Sequence, residues 1–346
     1  MIGNAGNGEQ RMREGSIGHN RILVETRNLQ KRFPVKSGFW GRVAGIGKRE
    51  LVAIRGITLQ IREGETLGVV GESGCGKTTL GRALLYLNPP FSGEVIFAGK
   101  NLGKLSRQEL RQLRQQMQPI FQNPYASLNP RMTVKESILE PLQIYGVGTR
   151  EEQEERVTYL LERVGIDPRL QDRYPHEFSG GQRQRLAIAR ALALQPRFIV
   201  ADEPVSALDV SIQAQILNLL CSLQDEYRLT YLFISHDLSV VHYLSNRIAV
   251  MYLGEIVEIA DADTLFDAPA HPYTRALLSA IPIPDPWDTT PQIVLPGNVP
   301  DPLDPPAGCP FHPRCPERIE RCVQDKPTLQ PVGTDHQVSC HLASSL

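Results

Sequence analysis

Short runs of apolar residues alternate with amphipathic stretches along most of this chain. The runs at residues 67–70, 198–201 and 231–234 contain no charged side chain. Such runs are typical of parallel strands that are covered by helices on both faces. Between the last two runs, residues 212–224 show helical periodicity. The pattern predicts an α/β fold built on a parallel sheet.

Further strand patterns predict an antiparallel edge beside this sheet. One of them is interrupted at Arg55 and Gly56, which predicts two strands instead of one, and another is a hairpin that turns at Gly254. The segments concerned are residues 22–26, 51–61, 94–97 and 247–259.

Residues 123–190 predict a helical subdomain inserted between the two halves of the α/β core. Within it, Thr149 and Glu152 have the spacing of a capping box at the start of an amphipathic helix. A core domain over residues 21–262 follows from this arrangement. The apolar face of the amphipathic helix comprises Val157, Leu160, Leu161 and Val164.

The two ends of the chain differ from this core in composition. Residues 1–20 are rich in glycine and poor in apolar residues, which predicts a disordered tail. Residues 35–50 predict a surface loop. From about Pro269 the chain is rich in proline, and residues 263–346 predict a C-terminal extension whose own organisation begins only near Cys309.

Composition and charge limit the classes of function that we expect for this chain. The 346 residues carry a formal net charge of −1, whereas a generic nucleic-acid-binding protein is usually strongly basic. No stretch reaches the ~18 apolar residues of a membrane span, and residues 1–20 lack the apolar core of a signal peptide. We therefore expect a cytosolic protein with reduced cysteines, whose membrane role, if any, comes through a partner.

Residues 71–78 have the pattern of a phosphate-binding P-loop: two glycines bracket four residues, and lysine and a hydroxyl residue follow. An apolar strand precedes the loop and a helical pattern follows it, as this motif requires. Lys77 is expected to reach the terminal phosphates of a nucleotide, and Thr78 to bind Mg²⁺. The nucleotide-binding residues predicted here are Gly71, Ser73, Gly74, Cys75, Gly76, Lys77, Thr78 and Thr79.

Polar side chains follow three other predicted strands. Asp202 ends one strand, where it would hold Mg²⁺, and Glu203 comes next, where it would polarise the attacking water. Gln122 follows a short apolar strand and would reach both metal and water. His236 ends the third strand, where a γ-phosphate would lie. The predicted catalytic residues are Lys77, Gln122, Glu203 and His236.

Residues 178–182 open another helix without any lysine. Free N–H groups at a helix start form an anion site, and paired glycines weaken a helix start unless something must approach it closely. A simple helix cap would account for the serine alone. The residues expected to contact an anion there are Ser179, Gly180, Gly181 and Gln182.

In this order and spacing the motifs resemble those of the ATP-binding cassette (ABC) family, over about residues 22–262. Phe178 replaces the usual leucine of the signature motif, and Thr78 stands where serine is common; neither change removes a needed group. The resemblance identifies Walker A, the Q-loop, the signature, Walker B, the D-loop and the switch histidine at residues 71–78, Gln122, 178–182, 198–202, 206–209 and His236.

The resemblance implies a RecA-like P-loop NTPase domain that binds ATP and Mg²⁺ and works as a head-to-tail pair. ATP would lie between Walker A of one copy and the signature helix of the other, with Asp209 of the D-loop at the same site. An aromatic residue ahead of the core would stack on adenine, and motif position favours Phe33.

Four cysteines of the C-terminal extension have the spacing C-x5-C-x6-C-x17-C. Cytosolic thiols grouped in this way more often mark a metal than disulfides, although four incidental thiols are another interpretation. Zinc sites usually have tighter pairs, whereas wide loops suit an iron–sulfur cluster. The cysteines are Cys309, Cys315, Cys322 and Cys340. For zinc, the further candidate ligands are His312, His336 and His341.

Residues 122–130, 271–278 and 308–316 are similar to segments of oligopeptide and dipeptide importer ATPases. That family implies a second ATPase subunit, identical or (the favoured case) paralogous, two permease subunits and an extracytoplasmic peptide-binding protein. The chain would then lie at the cytoplasmic face of the membrane, with a [4Fe–4S] cluster on the four cysteines and a permease-docking surface at about residues 123–145. The solute stays open among oligopeptides, dipeptides, nickel and other small solutes.

The alternative function is a soluble ABC ATPase that acts on nucleic acid or ribosomes. Such proteins usually carry two cassettes or a long coiled coil between the core halves, whereas this chain has one cassette and a short insertion. A non-catalytic partner subunit is disfavoured, because all the catalytic side chains named above are present. We therefore predict an ATPase that powers peptide import and does not bind nucleic acid.

Overall fold

The computed structural model describes residues 21–35, 50–123, 127–282 and 292–343. The predicted tail at residues 1–20 and most of the predicted loop at residues 35–50 lie outside the described residues. In the part of the chain that is described, no helix combines the length and the apolar character needed to cross a membrane.

Strands and helices follow the predicted order. The strands are β1 (Ile22–Pro34), β2 (Glu50–Arg62), β3 (Thr66–Val70), β4 (Ser92–Phe97), β5 (Lys100–Asn101), β6 (Met117–Ile120), β7 (Phe198–Asp202), β8 (Thr230–Ile234), β9 (Arg247–Tyr252), β10 (Glu255–Asp261), β11 (Gln330–Gly333) and β12 (His336–Val338). The helices are α1 (Lys77–Leu84), α2 (Arg107–Leu113), α3 (Val134–Tyr145), α4 (Arg150–Arg163), α5 (Gly180–Leu192), α6 (Val210–Tyr227), α7 (Leu238–Leu244), α8 (Ala262–Asp267), α9 (Pro272–Ser279) and α10 (Arg321–Gln324).

The larger sheet has the strand order β11-β12-β10-β9-β3-β8-β7-β6 among the described residues. Its strands from β9 to β6 are parallel, and β3, β7 and β8 are buried along their whole length. Alternate residues of β7 pack on opposite faces: Ile199 and Ala201 join the core of the helical subdomain, and Phe198 and Val200 join that of α1 and the smaller sheet. The predicted α/β fold is confirmed.

The smaller sheet is antiparallel, with the order β2-β1-β4-β5. Residues 51–61 belong to one continuous strand, so the predicted interruption at Arg55 and Gly56 is wrong. Gly56 has a φ of +88°, and an added Cβ would lie 2.8 Å from Asn28 Oδ1. Because glycine adopts this conformation at little cost, the strand bulges opposite Asn28 and continues.

Helices α3, α4 and α5 form the helical subdomain. The predicted apolar face of α4 is fully buried against its neighbours. Each of the three helices begins with a capping box, which satisfies backbone N–H groups that have no partner within the helix. The capping pairs are Thr133 with Glu136, Thr149 with Glu152, and Ser179 with Gln182.

The C-terminal extension packs on the same sheet. Strand β12 pairs with β10, and the rings of Tyr273 and Phe311 pack on Tyr252 of β9, with centroid distances of 4.8 and 5.3 Å. Helices α8 and α9 come well before Cys309 in the chain. The expectation that organisation begins only near that cysteine is therefore wrong, because helix and strand partners earlier in the chain order the proline-rich segment.

A buried carboxylate ties two parts of the extension to the main sheet. Glu258 of β10 is fully buried, and its oxygens accept hydrogen bonds from Ala270 N at 2.7 Å, His271 N at 3.0 Å and His336 Nε2 at 2.8 Å. Buried charges are tolerated when they are hydrogen-bonded in this way. The network fixes the start of α9 and strand β12 to the main sheet.

Because the imidazole of His271 is buried, we expect the folded state to lose stability in mild acid. Burial, and to a smaller extent the nearby charge of Arg275, lowers its pKa to about 3, whereas an unfolded histidine titrates near 6.5. The folded state thus resists protonation: the His271 contribution is intact above about pH 6.5 and is lost, at up to about 1.4 kcal/mol per pH unit, as the pH falls towards 3.

We expect the free energy of unfolding in urea to fall more steeply from pH 7 to pH 5 in the wild type than in His271→Asn. Asparagine suits this control, because His271 Nδ1 caps α9 by accepting from Tyr273 N at 3.0 Å, and asparagine is a good N-cap that does not titrate. Equal pH dependence in the two proteins would contradict the assignment.

Candidate functional site

The P-loop joins β3 to α1 and is shaped by glycine. Gly71, Gly74 and Gly76 have φ values of +148°, +81° and +107°. An added Cβ would lie 2.1 Å from Met251 O at Gly71 and 2.5 Å from Ala53 O at Gly76, so both positions exclude a side chain. No side chain caps α1, and its first N–H groups therefore face the loop, where they form an anion site.

The lysine and threonine of the motif lie at its centre. The Lys77 ammonium is buried and donates to Gly71 O at 2.6 Å and to Glu72 O at 3.1 Å. Thr78 Oγ1 donates to Asp202 Oδ1 at 3.0 Å, which brings together two of the three residues predicted to bind Mg²⁺. A cation site next to a phosphate site is the arrangement that nucleotide binding needs.

Asp202 at the end of β7 has a carboxylate that favours a nearby cation. Burial raises its pKa, the Thr78 hydroxyl lowers it, and the neighbouring charge of Glu203 raises it again. A positive charge at this position would relieve both the desolvation and the repulsion. The hydrogen bond between Thr78 and Asp202 places two of the predicted Mg²⁺ ligands together, and Gln122 stays a predicted third ligand.

Three predicted catalytic side chains converge beside this pair. Gln122 Nε2 donates to Glu203 Oε2 at 2.8 Å and approaches Ser206 Oγ at 3.4 Å, and His236 Nδ1 lies 3.5 Å from Glu203 Oε1. They meet because β6, β7 and β8 are adjacent parallel strands, whose carboxyl ends share one edge of the sheet.

The backbone of Glu203 is held in an uncommon conformation. Its φ is +48°, in the left-handed region that residues other than glycine seldom adopt. A hydrogen bond from its N–H to Ile234 O, at 2.9 Å, ties it to β8. Strained residues of this kind cluster at functional sites, which supports the assignment of Glu203 to catalysis.

The signature residues begin α5 at the protein surface. Ser179, Gly180 and Gln182 are exposed, and the serine and glutamine side chains cap the helix reciprocally. An added Cβ on Gly181 would lie 2.5 Å from Ile212 Cγ2, so packing of α5 on α6 requires this glycine. At Gly180 the nearest atom would be 3.5 Å away, and close approach by a ligand explains that glycine better.

The remaining predicted nucleotide contacts lie in varied environments. Asp209 caps α6 by accepting from Ile212 N at 3.1 Å, and Ser211 Oγ also donates to it; these hydrogen bonds lower its pKa. Phe33 is half-buried near the end of β1, with the Lys31 ammonium 5.3 Å from its ring centroid. Adenine stacking by Phe33 stays a prediction. Ser73 is exposed, Thr79 is half-buried and Cys75 is buried.

The four extension cysteines lie near one another. Cys309 N donates to Cys322 O at 2.9 Å. Burial, together with electrostatic interaction with the other extension thiols, raises the pKa of Cys309 and Cys315 to about 11. Over the described residues, however, no group of three or more His, Cys, Asp or Glu side chains is arranged to hold a metal ion.

The three histidines proposed as further zinc ligands have other partners. His336 donates to the buried carboxylate of Glu258, which corrects its assignment as a spare ligand. A ring nitrogen of His312 lies 2.9 Å from Cys309 O, and one of His341 lies 2.9 Å from Asp325 O. The histidines thus give zinc no support.

Sequence reasoning missed the contacts between the P-loop and the extension. Arg314 forms a bidentate ion pair with Glu72, and Tyr273 accepts a hydrogen bond from the N–H of the same residue. Arg314 lies in a segment that is similar to importer ATPases, but similarity of sequence does not indicate which residue Arg314 contacts.

Comparison with known proteins agrees with these motifs. The ABC transporter family model matches residues 54–206, and the model of the oligopeptide/dipeptide transporter C-terminal region matches residues 257–322. The chain is 56% identical over 298 residues to the putative oligopeptide transport ATP-binding protein YkfD of Bacillus subtilis (strain 168), which covers 85% of this chain and 91% of YkfD. It is 49% identical over 329 residues to AppF, an oligopeptide transport ATP-binding protein of the same organism, at 94% and 99% coverage.

A solved structure extends the likeness to three dimensions. The ATP-binding cassette MJ0796, dimeric and bound to ADP and Pi, matches with a TM-score of 0.60 and 31% identity over 69% of this chain and 99% of that chain. The chain is therefore an ATPase of the ABC transporter family, and it belongs to the branch that carries the oligopeptide/dipeptide transporter C-terminal region.

Proposed function

We propose that this chain hydrolyses ATP to power the import of peptides, as the nucleotide-binding subunit of an ABC importer. The observation that carries the proposal is the joint presence of a complete catalytic set and the oligopeptide/dipeptide C-terminal region at residues 257–322. Relatives that are about half identical over nearly the whole chain are named as oligopeptide transport ATP-binding proteins, which supports peptides as the solute.

In this proposal the P-loop binds the triphosphate and the strand ends supply the chemistry. Mg²⁺, held by Thr78, Asp202 and Gln122, would neutralise phosphate charge. Glu203 orients and polarises the attacking water, and Gln122 and His236 hold its carboxylate from two sides. Hydrolysis then follows from positioning and electrostatic stabilisation, as is general for phosphoryl transfer.

The proposed ATPase works with a second copy or a paralogue. Ser179 and Gly180 are exposed at the start of α5, where the Ser179 hydroxyl and the Gly180 N–H would meet the γ-phosphate bound by a facing subunit. A dimer is the state in which the related cassette MJ0796 is described. Closure of two lobes around ATP and their release after hydrolysis would be the mechanical step.

Two permease subunits are the proposed membrane partners, and they would hold the chain at the cytoplasmic face. The predicted docking surface at residues 123–145 includes positions 124–126, which lie outside the described residues. Arg131 is exposed just ahead of α3.

A photocrosslinker at Arg131 should join this chain to a permease. A photocrosslinker at the exposed Gln330 of β11 should not; the reverse result would reject this surface.

We further propose a [4Fe–4S] cluster on the four extension cysteines, with zinc as the alternative. The four thiols lie close enough to interact electrostatically, which supports a ligand that they share. A cluster of four metal atoms holds its thiolates farther apart than a single ion does. This fits the lack of a single-ion site among the described residues. When bound, the cluster would supply a structural cross-link or redox centre.

Iron and acid-labile sulfide in the anaerobically purified chain test the cluster. We expect both in equal amounts, and their loss in Cys315→Ser but not in Cys221→Ser, whose thiol lies in α6. Zinc in place of iron would favour the alternative. If neither metal were present, the four thiols would be incidental.

A reconstituted complex tests the whole proposal. Permeases, a peptide-binding protein and this chain in proteoliposomes should hydrolyse ATP faster when an oligopeptide is added, and should accumulate that peptide. Nickel serves as the competing solute. Stimulation by nickel alone, or ATP turnover that depends on nucleic acid, would contradict the proposal.

A further inference from the structure

One P-loop residue, Glu72, is held by the extension at three of its atoms. Arg314 Nη1 and Nη2 donate to the two carboxylate oxygens of Glu72 at 2.7 and 3.0 Å, and the Glu72 N–H donates to Tyr273 Oη at 3.0 Å. The carbonyl of Glu72 accepts from the Lys77 ammonium at 3.1 Å. Glu72 thus links the extension directly to the lysine that is expected to bind phosphate.

The two extension residues are rigidly placed. The Arg314 side chain is 8% exposed, and its backbone N–H donates to Phe311 O at 3.0 Å. Tyr273 and Phe311 are buried and pack on each other with a centroid distance of 5.4 Å. A fork of donors fixed in this way meets a carboxylate with defined geometry.

We propose that Arg314, supported by Tyr273, is a positioning residue of the ATP site. Glu72 places a negative charge within the loop that must bind a polyanion, and this charge would repel phosphate if it were unpaired. Arg314 neutralises the charge and turns it towards the extension, which keeps the Glu72 carbonyl and the loop N–H groups in their orientations. The C-terminal extension is then part of the nucleotide site.

A purely structural role for the ion pair makes a different prediction. Arg62 of β2 also bridges to the extension, with its Nη2 donating to the two carboxylate oxygens of Asp335 at 2.8 and 2.9 Å, but it does so outside the P-loop. If bridges of this type serve only to dock the extension, Arg62→Ala and Arg314→Ala should affect ATP binding alike. In our proposal only Arg314→Ala changes ATP binding.

The test is equilibrium binding of MgATP to the full-length chain by calorimetry, together with ATP turnover and thermal unfolding. This inference rests on the proposed P-loop site, which fails separately if the wild type does not bind MgATP. We expect Arg314→Ala to raise the Kd and KM for MgATP by about tenfold or more, as loss of a charge-assisted hydrogen bond does, with a smaller change in kcat. Arg314→Lys should give an intermediate Kd, and Arg62→Ala the wild-type value.

Removal of the Glu72 carboxylate distinguishes the loss of charge neutralisation from a general folding defect in Arg314→Ala. With Glu72→Gln in place, the further change Arg314→Ala should alter the Kd by no more than about threefold, because no charge is left to neutralise. The proposal is overturned if Arg314→Ala binds MgATP as the wild type does, or if its defect is equally large in the Glu72→Gln background. Should Arg314→Ala not fold, Arg314→Lys decides by the same comparison.

Discussion

Glu203→Gln is expected to lower ATP turnover by about 10²–10⁴-fold while MgATP still binds. Glutamine keeps the size of the side chain and an oxygen for Gln122 Nε2 to donate to, at the position where the distance is now 2.8 Å. It cannot accept a proton from water. The loss therefore falls on the chemical step and not on the P-loop, whose residues it leaves unchanged.

Single-turnover hydrolysis and MgATP affinity in the assembled complex check this result. Glu155→Gln is a matched control, since it makes the same change at an exposed position of α4, and it should behave as the wild type. Turnover within tenfold of the wild type in Glu203→Gln would show that another group activates the water, and the catalytic assignment would then fall.

The strand ends of the site could be predicted because the apolar run that precedes each motif identifies the strand to which it belongs. Uninterrupted apolar runs identify β3, β7 and β8 as buried parallel strands, and polar residues directly after such strands must share one edge of the sheet. Asp202, Glu203 and His236 could therefore be placed together without any tertiary information. The α4 helix was equally predictable, because its capping box and apolar face agree.

Features that depend on distant partners could not be predicted. Strand β11 is exposed throughout and β12 is short, so neither has the apolar pattern of a strand. Pairing with β10 defines β12, and pairing with β12 defines β11. The contact between Glu72 and Arg314 spans 242 positions. Gly181 was expected to serve a ligand, whereas its closest neighbour is Ile212 of α6; spacing cannot distinguish helix packing from ligand approach.

The buried carboxylate of β10 gives the largest expected effect on stability. In Glu258→Gln, one oxygen becomes an NH₂ group that faces a backbone donor, either Ala270 N or His271 N, while the negative charge is lost from the hydrogen bond with His336. Hydrogen bonds to charged groups contribute about 1.5–3 kcal/mol each, and a buried donor without a partner adds a penalty. We expect the free energy of unfolding to fall by about 3 kcal/mol or more.

Asp263→Asn is the matched control for this change, because Asp263 also pairs with a histidine, His242 Nε2 at 3.0 Å, but its side chain is 75% exposed. Exposed pairs contribute about 0–1 kcal/mol, so the control should unfold in urea almost as the wild type does. Limited proteolysis should cut the extension of Glu258→Gln first, since α9 and β12 both lose their attachment to the sheet. If the two variants were equally stable, the network would not hold the extension in place, and docking would depend on the aromatic contacts of Tyr252, Tyr273 and Phe311 instead.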